Sequence, residues 1–194
     1  MKSLFVIVSL ISTVGFALDM SAQKWTAQLD LRQTASDAGT VCTGTCKADT
    51  QTMFSAGATT MFDLGNQFGL RTGGVVTQRG YKQTVATTST AANFTYLDIP
   101  VLPEYQINEM FSAYAGVIVG LKASRTCDFG AANCDALSDK SLVTPLQVGG
   151  TYNIDKQWAA RLTYETGTLM TAGTTANSDF KTASAITLGG GYTF

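Results

Sequence analysis

Apolar and polar residues alternate with a period of two along almost the whole chain, and helical periodicity is nearly absent. Successive side chains of a strand point to opposite faces, so sustained alternation marks strands with two chemically different faces. Eight such segments can be marked, at 25–32, 51–62, 66–81, 92–106, 110–125, 142–154, 157–170 and 182–194. In the first, Trp25, Ala27, Leu29 and Leu31 oppose Thr26, Gln28, Asp30 and Arg32. In the seventh, Trp158, Ala160, Leu162 and Tyr164 oppose Ala159, Arg161, Thr163 and Glu165. Most segments exceed the roughly 5–6 residues common in globular strands. They reach the roughly 9–11 residues with which a tilted strand crosses a bilayer.

The connections alternate in length. Leu64-Gly65, Asn108-Glu109 and Asp155-Lys156 read as the centres of tight turns, whereas 33–50, 82–91, 126–141 and 171–181 are longer polar links. In an antiparallel meander, odd and even connections lie at opposite ends, so every long link falls at one end. Bacterial outer-membrane barrels have this layout, with short periplasmic turns and long outer loops. The expected fold is therefore all-β: an eight-stranded antiparallel up-and-down transmembrane β-barrel spanning 18–194. Pro100 and Pro103 cannot donate to a ladder, which predicts a bulge in the fourth strand.

Residues 1–17, MKSLFVIVSLISTVGFA, have the secretory pattern: Lys2, an apolar run from Leu4 to Phe16, and small Gly15 and Ala17 before a cleavage point. The run is too short for a membrane-spanning helix, which needs about 20 residues. Export leads to an oxidising compartment, where Cys42, Cys46, Cys127 and Cys134 are expected as disulfides. Three connectivities are open, and pairing Cys42 with Cys46 and Cys127 with Cys134 keeps each pair within one link. A thiolate metal site lacks the usual C-x2-C spacing, so no metal is expected.

Alternation alone does not say which face meets lipid. The polar face carries charges near strand centres, namely Asp30, Arg71, Asp98, Glu104, Lys122, Arg161 and Glu165. Both signs are present, and eight strands enclose only enough room for side chains, so these residues predict a paired ionic lumen. Glycines on the same face, such as Gly57, Gly73, Gly116 and Gly189, would relieve crowding there. On the apolar face, Trp25, Phe62, Phe68, Tyr105, Phe111, Tyr152, Trp158, Tyr192 and Phe194 gather at the short-turn end or the termini. That is the position of an aromatic girdle at the periplasmic interface.

Phe68-Gly-Leu-Arg71, Tyr96-Leu-Asp-Ile-Pro100, Tyr114-Ala-Gly116 to Leu121, and the closing Gly189-Gly-Gly-Tyr-Thr-Phe194 resemble the PorT-like bacterial outer-membrane β-barrel family. The resemblance implies an eight-stranded barrel in the outer membrane of a Gram-negative bacterium, with no shared catalytic residues. Tyr192 and terminal Phe194 also resemble the C-terminal signal read by the barrel-assembly machinery.

The chain has no histidine, which removes His-dependent nucleophilic machinery and imidazole general bases. A formal charge of −1 offers no basic surface for nucleic acid. Gly189-Gly-Gly191 ends the chain and opens no helix, so it is no phosphate loop, and no cofactor is expected. Asp98 and Glu104 share a face and could suggest acid–base chemistry, although an ion-paired lumen accounts for them more simply. The expected function is non-enzymatic: a structural or surface-interaction barrel embedded in outer-membrane lipid, acting through long disulfide-bearing outer loops on a surface partner that the sequence does not identify. The competing readings are a narrow passive channel and a soluble lipocalin-like periplasmic carrier.

Overall fold

The computed structural model describes residues 24–37, 46–85, 88–128, 140–171 and 180–194. The leader 1–17, Cys42 and Cys134 lie outside the described residues. The elements are β1 (Trp25–Asp37), β2 (Cys46–Gly65), β3 (Phe68–Val85), β4 (Thr88–Gln106), β5 (Phe111–Cys127), β6 (Leu142–Val143), β7 (Leu146–Asn153), β8 (Trp158–Thr171) and β9 (Phe180–Thr193). Neighbours pair antiparallel in the order β4-β3-β2-β1-β9-β8-β7-β5-β6, and the β4–β5 pairing closes the ring. β6 and β7 are one strand interrupted at Thr144-Pro145, since both pair with β5 in a single register. The Pro145 carbonyl still accepts the Ile118 N–H at 3.0 Å, but the proline has no N–H to return. The molecule is thus a closed barrel of eight strands. Followed once round, the registers return to β1 displaced by about ten residues, the kind of stagger that accompanies strand tilts of roughly 35–45°.

The barrel wall is uneven in height. β2, β3 and β4 run for 20, 18 and 19 residues, whereas the combined β6–β7 strand covers only Leu142–Asn153. The expected long link at 82–91 is largely strand, with Lys82 to Val85 paired against Ala91 to Thr88. Its polar but β-compatible residues continue the ladder beyond the apolar belt. The bulge expected at Pro100 and Pro103 is not found there. Those prolines leave unpaired rungs without altering register, and the shift against β5 lies between Thr95 and Tyr96.

The first tight turn is centred on Asn66-Gln67 rather than Leu64-Gly65, for Gly65 pairs with Phe68. Gly65, Asn66 and Gln67 have φ of 83°, 53° and 69°. Glycine enters this left-handed region freely and asparagine tolerates it, which selects a primed hairpin turn here. The Asn108 side chain caps its turn by accepting the N–H groups of Met110 and Phe111, both at 2.9 Å. Asp155 does the same for Gln157 and Trp158, both at 2.7 Å. Those two backbone donors hold the Asp155 carboxyl below its ordinary range.

Burial is inverted relative to a water-soluble barrel. Leu29, Leu31 and Leu188 are each 63% exposed, while Arg79 is 0% and Glu165 2% exposed. The apolar face points outward around the whole ring, as the lipid-facing band of a membrane barrel does. A soluble carrier needs the opposite arrangement. The aromatic residues meet at the short-turn end. Phe68 lies 5.0 Å from Tyr105, Phe111 4.9 Å from Tyr152, and Trp158 4.9 Å from Tyr192, which in turn lies 5.3 Å from Phe194. On the inner face of β2 and β3, the chains approach so closely that a Cβ on Gly57 would strike the Gly74 backbone and one on Gly73 the Ala58 backbone.

Replacing Asn66 with valine is expected to cost about 1–2 kcal/mol, because a β-branched residue is strained at positive φ. Asn66→Gly should be close to neutral. Urea unfolding in lipid vesicles measures both, and equal stability of the two variants would contradict the turn assignment.

Candidate functional site

The site is the barrel lumen. Inward positions along each strand are separated by two, so Asp30 and Arg32 of β1, Arg71 and Arg79 of β3, Asp98 and Glu104 of β4, and Arg161 and Glu165 of β8 all project inward. They assemble into two tiers.

The tier nearer the long links is built on Arg79. Its Nη1 and Nη2 donate to Asp98 at 2.8 and 2.7 Å, and its Nε and Nη2 donate to Glu165 at 3.1 and 3.2 Å. Arg32 donates both terminal nitrogens to the same Glu165, at 2.9 and 3.1 Å. In the lower tier, Arg71 forms a two-pronged pair with Glu104 at 2.7 and 2.9 Å, and Ser112 also donates to Glu104. Arg161 pairs with Asp30 and donates to Gln28, while Ser55 donates to Asp30 at 3.1 Å. Each tier holds two guanidinium groups and two carboxylates and is neutral by itself. Planar guanidinium forks suit this two-pronged pairing better than lysine would.

Aromatic and apolar groups complete the filling. Arg79 lies over the Tyr96 ring at 5.2 Å and Arg71 over Tyr114 at 5.6 Å. Tyr114 and Thr163 share a hydrogen bond of 2.6 Å. Ala92, Phe94, Tyr96 and Val143 form a buried apolar cap at the long-link side, with Cys127 packed against it. Glycines make room for the acids. A Cβ on Gly120 would meet Asp98, and one on Gly189 would overlap Asp30.

The space left is small. A cavity of about 40 Å³ lies among these side chains, room for a few water molecules. Arg32 Nε and Thr187 Oγ1, buried without a protein partner, belong to residues that line it.

Six of the seven charged residues expected in the lumen come together here: Asp30, Arg71, Asp98, Glu104, Arg161 and Glu165. Lys122 is the exception in position. It is half-buried opposite Tyr96, nearer the long links, and does not line the cavity. Asp98 and Glu104 fall in different tiers, each held by its own arginine, which leaves neither poised as an acid–base partner of the other. Arg32 and Arg79, which are not among those seven, complete the network. Their signal was parity, since they stand two residues from Asp30 and eight from Arg71 on the same inner faces. Cys127 is disulfide-bonded, and its pairing lies outside the described residues. Cys46 belongs to β2.

Removing one partner from a buried pair leaves a charge uncompensated, at a cost of about 3–5 kcal/mol. Glu165→Gln deprives both Arg32 and Arg79 of their shared carboxylate and is expected to lose stability in that range. Asp63→Asn, at the exposed turn end, should lose far less. Unfolding midpoints in vesicles compare the two, and similar midpoints would show that the tiers contribute little.

The chain matches the outer membrane protein beta-barrel domain family over residues 4–194. No curated protein matches it by sequence. Among solved structures, it is similar to Neisserial surface protein A (NspA), with a TM-score of 0.55 and 14% identity, covering 88% of this chain and 97% of that one. It is also similar to the outer membrane protein OprG of Pseudomonas aeruginosa, with a TM-score of 0.50 and 14% identity, covering 89% of this chain and 95% of that one. Likeness at this identity concerns the fold alone. With its charged interior, apolar exterior and closed ring of eight strands, the chain belongs to the outer membrane protein β-barrel domain family.

Proposed function

We propose that this barrel is a non-enzymatic, side-chain-filled outer-membrane protein whose work is done at the cell surface by its outer links. The filled lumen is the observation that carries this reading. Two neutral tiers of arginine–carboxylate pairs and an apolar cap occupy the interior, which leaves a cavity of only about 40 Å³. A solute path would require several fully buried ion pairs to separate together, and each is costly to break. The reading against enzymatic activity rests on the absence of histidine and on carboxylates already committed to guanidinium partners.

The finer assignments belong to the same proposal. Residues 1–17 are cleaved on export, the four cysteines stiffen the outer links as two local disulfides, and within the broader family the chain is read as a member of the PorT-like group. NspA, by its name a surface protein, shares the fold and is consistent with a surface role.

Planar-bilayer recording of the purified protein is expected to show no stable single-channel steps. Regular unitary steps would overturn the filled-lumen reading in favour of a narrow channel. Assembly through the C-terminal signal is tested separately. Deleting Phe194 should lower the amount of heat-modifiable barrel in the outer membrane, and a wild-type amount would count against the signal.

A further inference from the structure

The outer wall carries one feature that the lumen does not explain. Just above the aromatic pairs Phe111–Tyr152 and Trp158–Tyr192, the outward positions of four adjoining strands are small: Ala113, Gly150, Ala160 and Gly190. Ala113 stands directly opposite Gly150, and Ala160 directly opposite Gly190. With Phe111 and Tyr152 below and Val148, Leu162 and Leu188 above, Ala113, Gly150 and Ala160 line an apolar groove of about 780 Å³ crossing β5, β7, β8 and β9. That volume lies within the range typical of small-molecule sites.

The small residues are not all imposed by the barrel's own packing. A Cβ on Gly190 would find its nearest neighbour, the Ala159 carbonyl, at 3.8 Å, and one on Gly150 would meet the Ser112 carbonyl at 3.3 Å. The lumenal Gly57 and Gly189, by contrast, have no room for a Cβ at all. The groove opens into the lipid-facing belt at the short-turn end, level with the aromatic girdle where headgroups meet acyl chains. We infer that it seats one acyl chain of a phospholipid from the periplasmic leaflet, with the headgroup level with Tyr152 and Tyr192. Continuity with the lipid belt and an apolar lining favour a chain over any polar ligand.

The test uses the full barrel in vesicles containing phosphatidylethanolamine with a diazirine midway along one acyl chain. Photolabelling is expected to concentrate on the β5–β8 face. It should fall several-fold when Ala113→Leu and Ala160→Leu fill the groove, and stay unchanged with Ala56→Leu, an exposed belt residue of β2. Heat-modifiability verifies that each variant is folded, and Ala160→Leu alone serves if the double variant is not. Even labelling round the barrel, or labelling unaffected by filling, would overturn the inference. So would crosslinks between two copies in place of lipid adducts.

Discussion

Lipid offers no hydrogen bonds, so every backbone N–H and C=O within the membrane must find a partner in the chain itself. The β4–β5 pairing meets that demand by closing the ring, and the remaining features follow from it. Closure at eight strands fixes a narrow bore, and a narrow bore has to be filled. Filling it with charge is tolerable only if each charge is paired and the remaining lone pairs are satisfied. The pairing of Arg79 with both Asp98 and Glu165 is the outcome. The aspartates at 30 and 98 fit because glycines stand across from them, so ionic and steric requirements are met by the same rungs.

The division into two tiers has an energetic meaning. If the positive and negative groups were segregated, each tier would carry a field into a low-dielectric wall. Here Arg32 and Arg79 are balanced by Asp98 and Glu165, and Arg71 and Arg161 by Asp30 and Glu104. Neutrality at each level keeps long-range electrostatic cost low, leaving the local two-pronged bonds to fix side-chain positions. Replacing such pairs by a well-packed apolar filling is often neutral for stability, so it is the loss of one partner, not of the whole pair, that is costly.

Much of this was legible from alternation. Parity placed Asp30, Arg71, Asp98, Glu104, Arg161 and Glu165 on one face, and the spacing of turns set the topology. Lys122 shares that parity, but parity says nothing about height along the axis, and this residue stands opposite Tyr96 rather than beside the cavity. Arg32 and Arg79 escaped because they lie near the ends of their segments as read, while the actual strands run on to Asp37 and Val85. Strand ends are the least legible in the sequence, because threonine and glutamine suit both a link and an edge ladder. The turn at Asn66-Gln67 slipped because a glycine beside an asparagine offers two residues that accept positive φ, and only the register decides between them.

The unequal strand lengths give the barrel a front and a back. At roughly 3.3 Å per residue, β2 runs about 65 Å along its own axis while the combined β6–β7 strand, Leu142–Asn153, runs about 40 Å. On the β2–β4 side the wall continues as paired sheet beyond the apolar belt, a stiff palisade of backbone. Across the ring the ladder is interrupted at Thr144-Pro145 and resumes only for Leu142 and Val143. Among the described residues, the paired wall is therefore taller on one side of the ring than on the other, which gives the outer end a fixed orientation about the barrel axis.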